Sequence, residues 1–171
     1  MTEIASIRGA PILEGITEIE FEELAAIAQE RRTAEGDWLF RRGEPADAFY
    51  VVTEGRFALT LPLRRLERQI EITVEEKAPG SALGWSALVA PHRWNYSARC
   101  TQEGAVIAFP RAALEKVLQS DVDLGYRFMR NLSQLIGSRI AALQNLWIEE
   151  VEHTITRVDY WTRATPSSVL N

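Results

Sequence analysis

Short strand-like runs, separated by Gly and Pro at intervals of about ten residues, are the feature that most constrains the fold of this chain. The runs cover residues 38–40, 48–52, 56–63 and 69–74 and, after a Pro79-Gly80 turn, residues 96–101 and 105–109. Such spacing is typical of an antiparallel barrel or jelly roll, in which tight turns connect short strands. The pattern therefore predicts a β-barrel over residues 34–110.

Helical periodicity flanks this barrel on both sides. Before it, residues 16–31 carry spaced apolar positions, and Thr17 and Glu20 have the spacing of a capping box. After it, a first helix begins at Arg111, a polar break at residues 119–121 offers an N-cap, and a long helix extends to Val151. We predict an N-terminal helical segment (1–33), the barrel (34–110), C-terminal helices (111–151) and a tail (152–171).

Apolar residues recur every three or four positions along the predicted long helix. This stripe is wider than one packing partner needs. We expect part of it to cover the barrel and part to pair with the same helix of a second chain. The alternative is a helix that lies entirely against its own barrel. The candidate homodimer interface comprises Leu132, Ile136, Ile140, Leu143 and Trp147.

Composition and charge argue against several classes of protein. The 171 residues suffice for one domain, and they include no run of about 18 apolar residues that would cross a membrane. The N-terminus lacks a secretion-signal pattern and Cys100 is the single cysteine, so we predict a cytoplasmic protein with Cys100 as a small core residue. The chain has a net charge of −5, whereas a DNA-binding protein usually carries an excess of positive charge.

The segment of residues 79–98 is the candidate ligand-binding stretch. It runs from the Pro79-Gly80 turn through the small residues Gly84, Ser86 and Ala87. Backbone N–H groups that point outward from a short helical turn form a cradle for an anion such as a phosphate. The alternative is a tight surface loop that binds nothing.

Two motifs resemble the cyclic-nucleotide-binding domain of the catabolite-activator and Fnr-like regulators. They are Gly-Asp-Trp-Leu-Phe-Arg-Arg-Gly-Glu at residues 36–44 and Phe-Tyr-Val-Val-Thr-Glu-Gly at residues 49–55. The resemblance spans about residues 16–151. It implies a mainly β fold with flanking helices: a double-stranded β-helix jelly roll of about eight strands. It also implies a long C-terminal helix that dimerises and closes over the ligand.

The chain departs from this family in the phosphate-binding cassette. Where the family has a glutamate for the ribose hydroxyl, Trp85 follows Gly84, and where it has an arginine for the phosphate, Tyr96 precedes Ser97-Ala98. A hydrogen bond to a charged group contributes roughly 1.5–3 kcal/mol, so its loss would weaken binding by about one to two orders of magnitude. We therefore do not expect tight binding of cyclic AMP.

Two interpretations of the pocket remain open. Trp85 and Tyr96 fill it and leave no ligand site, or they wall a site for another nucleotide-like small molecule, with His92 or Arg93 supplying polarity. We expect His92 itself to be an exposed loop residue. The candidate ligand-binding residues are Gly84, Trp85, Ser86, Ala87, Leu88, Arg93, Tyr96, Ser97, Ala98 and, on the long helix, Gln144.

These features predict a non-catalytic sensor or adaptor domain that acts through a ligand or a protein partner. The 20 residues from 152 to 171 are fewer than the roughly 50 that a DNA-binding domain needs. We expect no cofactor, no metal and no membrane contact. One alternative is a purely structural, partner-binding domain with a filled pocket. A more remote one is a cupin-type enzyme, although His92 and His153 are the only histidines available as metal ligands.

Overall fold

A computed structural model describes residues 4–65 and 68–164 of the chain. Two 3-10 turns, at Ile4–Ile7 and Pro11–Leu13, precede the first helix, and a third, at Trp85–Ala87, lies between the last two strands. The helices are α1 (Glu18–Ile27), α2 (Arg111–Ser120) and α3 (Val122–Ala164). The strands are β1 (Gln29–Thr33), β2 (Trp38–Phe40), β3 (Ala48–Arg65), β4 (Arg68–Lys77), β5 (Ala82–Leu83) and β6 (Ser97–Pro110).

The strands form one antiparallel sheet, and a buried cluster that includes Tyr50, Phe57 and Trp94 packs within it. Its path runs β1-β6-β3-β4, with β2 paired to β6 and β5 paired to β3. The long β3 and β6 pair from Ala48 opposite Pro110 to Thr60 opposite Ser97. The predicted mainly β jelly roll with a C-terminal helix is confirmed, but the described residues form six strands rather than eight because two of the strands are long and continuous.

The sequence divided two long strands that the structure keeps continuous. Residues 48–52 and 56–63 both belong to β3, and residues 96–101 and 105–109 both belong to β6, apart from residue 96. Gly55 and Gly104, which lie in the gaps between the predicted strands, instead face one another within the paired strands. A Cβ added at Gly104 would lie 2.1 Å from the Glu54 carbonyl oxygen, and one at Gly55 would lie 2.4 Å from that of Gln102. The two strands therefore pass close together through irregular pairing and continue beyond it.

The N-terminal helical segment was predicted too long. Helix α1 ends at Ile27, and Gln29–Thr33 forms β1, which pairs with residues 104–108 of β6. Four of the five β1 side chains are exposed and polar, so this edge strand carries no alternation of apolar residues that the sequence could reveal. The predicted capping box is confirmed, because Thr17 and Glu20 exchange backbone and side-chain hydrogen bonds.

The first turns of α3 complete the core. Asp121 Oδ1 accepts from the backbone N–H groups of Asp123 and Leu124 at 2.9 and 3.0 Å, which confirms the predicted N-cap. Leu124, Phe128 and Leu132 are then at most 1% exposed. The rings of Phe128 and Phe49 meet edge to face at 5.6 Å. This part of the helix therefore covers the barrel as expected.

The chain divides into two compact units, Met1–Leu132 and Ser133–Asn171. In the second unit, α3 continues to Ala164, so the predicted tail of residues 152–171 is helical over residues 152–164. Residues 165–171 lie outside the described part of the chain. Among the described residues, no helix is both long and apolar enough to cross a membrane.

Candidate functional site

The cassette turn, residues 84–88, adopts a short helical turn as predicted. Gly84 has a left-handed φ of 82° and precedes the 3-10 turn Trp85–Ala87. The N–H groups of Ala87 and Leu88 donate to the Gly84 and Trp85 carbonyls, each at 3.0 Å. Two backbone N–H groups of the turn are therefore already hydrogen-bonded within the turn itself. Just before the turn, β5 pairs with Tyr50 and Val51 of β3, which fixes its position on the barrel.

Trp94 fills the space beside the cassette turn. A Cβ added at Gly84 would lie 2.8 Å from Cζ3 of Trp94, closer than real atoms approach. Its indole is only 3% exposed and stacks on the Phe40 ring at 4.1 Å with 16° between the planes. The Tyr50 ring lies 6.1 Å away. The interior at this position is therefore occupied by the aromatic trio Phe40, Tyr50 and Trp94.

The loop before β6 holds Trp94 by its backbone. The Trp94 N–H donates to the Glu44 carbonyl at 3.0 Å, and the Trp94 carbonyl accepts from Gly43 N–H at 2.9 Å. His92, with φ of 55°, accepts from Ala46 N–H through its carbonyl at 2.8 Å. Its ring Nδ1 lies 2.9 Å from the Ala87 carbonyl, which requires a proton on Nδ1. The expectation of a freely exposed His92 is therefore wrong: the half-buried ring ties this loop to the cassette turn.

The remaining predicted residues of the barrel are buried or half-buried. Ser86 and Ala87 are buried, whereas Trp85 and Leu88 are half-buried. Tyr96 is half-buried and packs against the buried core cluster that includes the trio. Ser97 and Ala98 are buried at the start of β6, and Ser97 Oγ accepts from Arg42 N–H at 3.0 Å.

Two predicted residues lie elsewhere. The Arg93 guanidinium donates to the Gly43 carbonyl at 2.7 Å, in the turn that follows β2, and so does not fold back over the cassette turn. Gln144 is an exposed residue of the second unit. Of the candidate set, Ala87, Tyr96 and Ala98 therefore pack with the core cluster of the trio, and Gly84 lies beside Trp94.

Burial keeps the interior of the site uncharged. It raises the pKa of the Tyr50 hydroxyl, and the nearby Asp47 carboxylate adds to this effect, while Arg31 partly opposes it. The residues of the cassette turn carry no ionisable side chain. Among the described residues, no group of three or more His, Cys, Asp or Glu side chains is placed to hold a metal ion.

The last residue of the cassette turn also lines an apolar groove. Leu88 meets residues of α2 and the beginning of α3 around an open cavity of about 510 Å³. The groove side chains include Leu118, Val122, Tyr126 and Met129. A displacement of the turn would therefore change the shape of the groove that Leu88 shares with both helices.

Sequence analysis missed the three aromatic residues that fill the site. The sequence pattern identified Phe40 and Tyr50 only as strand residues, and it placed Trp94 in a polar loop. The one available signal was a single tryptophan between Arg93 and Asn95, since so large an apolar ring in a polar loop is usually buried.

Comparisons with known proteins agree with this architecture. The family model of the cyclic nucleotide-binding domain matches residues 30–121. An NTE family protein from Mycobacterium tuberculosis is 26% identical over 131 residues, which are 77% of this chain and 21% of the relative. Glutaminase 1 of Bradyrhizobium diazoefficiens is 30% identical over 140 residues, 81% of this chain and again 21% of the relative. The chain thus spans about a fifth of the length of the curated relatives it matches.

A solved structure extends the likeness to the fold. The catabolite activator protein of Thermus thermophilus superposes with a TM-score of 0.67 at 21% identity. The match covers 83% of this chain and 63% of that protein. At this level of identity the likeness concerns the fold alone.

Proposed function

The chain belongs to the cyclic nucleotide-binding domain family, and we propose that it is a non-catalytic regulatory member whose nucleotide pocket is filled by its own aromatic side chains. In this proposal it is a cytoplasmic adaptor that acts by binding a protein partner and forms a homodimer. It does not bind cyclic AMP tightly.

The position of Trp94 is the observation that carries this proposal. In the family, the phosphate lies at the turn that corresponds to residues 84–88. Here the indole already touches Gly84 and is stacked within the core. A ligand at this turn would have to displace a ring that is 97% buried, and removing a buried aromatic ring from its contacts costs about 3–5 kcal/mol.

The charges of the site support the same conclusion. A phosphate that entered this space would be desolvated without a cation, because Tyr96 stands where the family has an arginine. Trp85 likewise offers no carboxylate to a ribose hydroxyl. The occupied space and the lost charges are independent obstacles. Of the two interpretations of the pocket, these observations favour the filled one.

A sensor is the second candidate function, and the groove beneath Leu88 favours it. In that case a small molecule other than a cyclic nucleotide would displace Trp94 and shift the cassette turn. The shift would move Leu88 and so alter the groove that this residue shares with α2 and α3. Such a ligand changes the helices only if it binds the two arrangements with different affinity.

We propose no catalytic activity for this domain. The sequence contains no GxSxG, HExxH or P-loop motif. The glutaminase and the NTE family protein are each matched over 21% of their length. We therefore propose that the shared region is a regulatory module that proteins of different activity carry.

A set of three proteins tests the filled pocket. Cyclic AMP and cyclic GMP are titrated by calorimetry into the wild type, into Trp85→Glu/Tyr96→Arg, and into the same double variant with Trp94→Ala. We expect no micromolar binding by the first two and a gain of affinity only in the third, where charges and space are both restored. Thermal unfolding of each protein checks that it is folded, and Trp94→Leu replaces Trp94→Ala if that variant is not.

Two outcomes would contradict the proposal. Micromolar binding by the wild type would mean that Trp94 does not close the site. A gain in the double variant that retains Trp94 would mean that lost charges alone explain the loss of binding. Stabilisation of the wild type by an aromatic metabolite, increased by Trp94→Leu because the ligand no longer has to displace the indole, would favour the sensor over the adaptor.

A further inference from the structure

Three arginines meet at a cleft outside the cassette turn. Arg41, Arg42 and Arg93 line a cavity of about 480 Å³ together with the amide side chains of Gln69 and Asn95. None of residues 84–88 lines this cavity, but Trp94 and Ser97 do. The arginine cleft, as we call it, therefore adjoins the filled pocket and opens away from the cassette turn.

Each of the three arginines is held in place by a contact of its own. Arg93 donates to the Gly43 carbonyl at 2.7 Å, and its backbone pairs with Pro45 in an isolated β-bridge. The Arg41 guanidinium lies over the Trp38 ring, 4.5 Å from its centroid. Arg42 donates its backbone N–H to Ser97 Oγ, which fixes the backbone of Arg42 rather than its guanidinium. Little conformational freedom would be lost from the side chains of Arg41 and Arg93 when a ligand binds.

The charges of the cleft are not neutralised by the protein. Within the described part of the chain, none of the three guanidinium groups forms an ion pair, whereas Arg8, Arg32, Arg111 and Arg127 all do. Glu71 is the one acidic residue among the described side chains that line the cleft, and it accepts from the Thr60 hydroxyl at 2.8 Å. Three cations thus face one carboxylate, in a chain whose net charge is −5.

We propose that the arginine cleft binds a small molecule that carries a phosphoryl group. Guanidinium groups match phosphate oxygens with paired hydrogen bonds, and amide side chains add neutral donors. The volume lies within the range of about 300–1,000 Å³ that is typical of small-molecule sites. The cleft shares Trp94 and Ser97 with the filled pocket but none of residues 84–88, so it would give this domain a ligand even though the cassette turn has lost its own.

Calorimetric titration with inorganic pyrophosphate tests the proposal. We expect saturable binding to the wild type at physiological ionic strength, and about tenfold weaker binding to Arg42→Gln, since one charge-assisted contact is lost. Glu71→Gln should bind more tightly, because it removes the opposing charge while keeping an acceptor for Thr60. Arg56→Gln, which removes an equally exposed arginine outside the cleft, should leave the affinity unchanged.

Four results would overturn the proposal. The first is no binding by the wild type, and the second is an equal loss in Arg42→Gln and Arg56→Gln, which would indicate attraction by overall charge. The third is weaker binding by Glu71→Gln in a protein with an unchanged unfolding midpoint. The fourth is binding of a short single-stranded oligonucleotide, but not of pyrophosphate, with the same dependence on Arg42. That result would assign the arginines to a nucleic-acid surface. None of these outcomes bears on whether Trp94 closes the cassette turn.

Discussion

Glu20 shows how a single buried residue joins two helices of the first unit. Its carboxylate accepts from Thr17 N–H at 2.7 Å and from the Thr17 hydroxyl at 2.8 Å. It also forms an ion pair with Arg127 of α3. Burial alone would raise the pKa of Glu20, but these hydrogen bonds and the charge of Arg127 outweigh burial and lower it. The ionised form of Glu20 therefore stabilises the fold.

The substitution Glu20→Gln should destabilise the protein in a pH-dependent way. Because the folded-state pKa lies below the ordinary value of 4.5, the stabilisation is complete above that value and is lost as the pH falls through the folded pKa. At neutral pH we expect a loss of roughly 1–3 kcal/mol, as for hydrogen bonds to a buried charged group. The difference from the wild type should shrink below pH 4.5. Urea unfolding at several pH values measures both quantities.

The exposed Glu22, also on α1, provides the matched control. Glu22→Gln removes the same charge without a buried contact and should change the free energy of unfolding by less than about 0.5 kcal/mol. An effect of Glu20→Gln that stayed constant down to the lowest pH would show that the ionised carboxylate is not what stabilises the helix pair.

Individual residues could be predicted from the sequence where the signal was local. The capping box of Thr17 and Glu20 depends on spacing alone, and Cys100 was assigned to the core because it lies in a strand pattern. The structure agrees, since Cys100 is 1% exposed and burial raises the pKa of its thiol. Trp94 was not predicted to fill the site. Its burial depends on Phe40 and Gly84, which lie far from it along the chain.

The pairing of β3 with β6 depends on two glycines that face one another. Gly55 and Gly104 lie so close that the Cα of each would be 2.7 Å from a Cβ added to the other. Neither position has room for a side chain. The crossing lets both strands bend while the ladder continues on either side of it.

Gly104→Ala should therefore destabilise the sheet. The added methyl group would meet the Glu54 carbonyl oxygen, a backbone atom that cannot rotate away. We expect a loss of about 1–3 kcal/mol, as for an overpacked core. Gly9→Ala is the control, because a Cβ at Gly9 would meet nothing within 4 Å. Denaturant unfolding compares the two variants, and equal stability of Gly104→Ala and Gly9→Ala would refute the close crossing.

At the level of elements, the sequence predicted the type of structure better than its limits. Alternation of apolar residues identified the central strands, because one face of each is buried. It could not show that Gly55 and Gly104 pass through the ladder, since their effect depends on a partner strand about 50 residues away. The exposed polar strand β1 gave no pattern at all.

The whole molecule combines a packed barrel unit with a helix that remains largely exposed. In the second unit, Ile140, Leu143 and Trp147 are 51%, 36% and 69% exposed. Exposed apolar residues in such a row indicate an interaction surface rather than a solvated helix face. The helix α3 has 43 residues, and only residues 122–132 of it belong to the barrel unit.

We propose that this row is the interface with a second copy of the chain. Ile136, Ile140, Leu143 and Trp147 follow one another in steps of four, three and four residues, the spacing by which two identical helices interlock as a coiled coil. The predicted interface also contains Leu132, but that residue is 1% exposed within the first unit and is therefore removed from the interface.

The double variant Ile140→Glu/Trp147→Glu should convert a dimer into a monomer, because it places negative charges on both helices of the proposed interface. Asn145→Glu adds a charge on the opposite side of the same helix and should leave the dimer intact. Sedimentation equilibrium of the three proteins at micromolar concentration measures the mass directly. A wild-type monomer would refute the interface, and so would a double variant that still dimerises. Dissociation of Asn145→Glu as well would mean that charge anywhere on α3, rather than this seam, controls assembly.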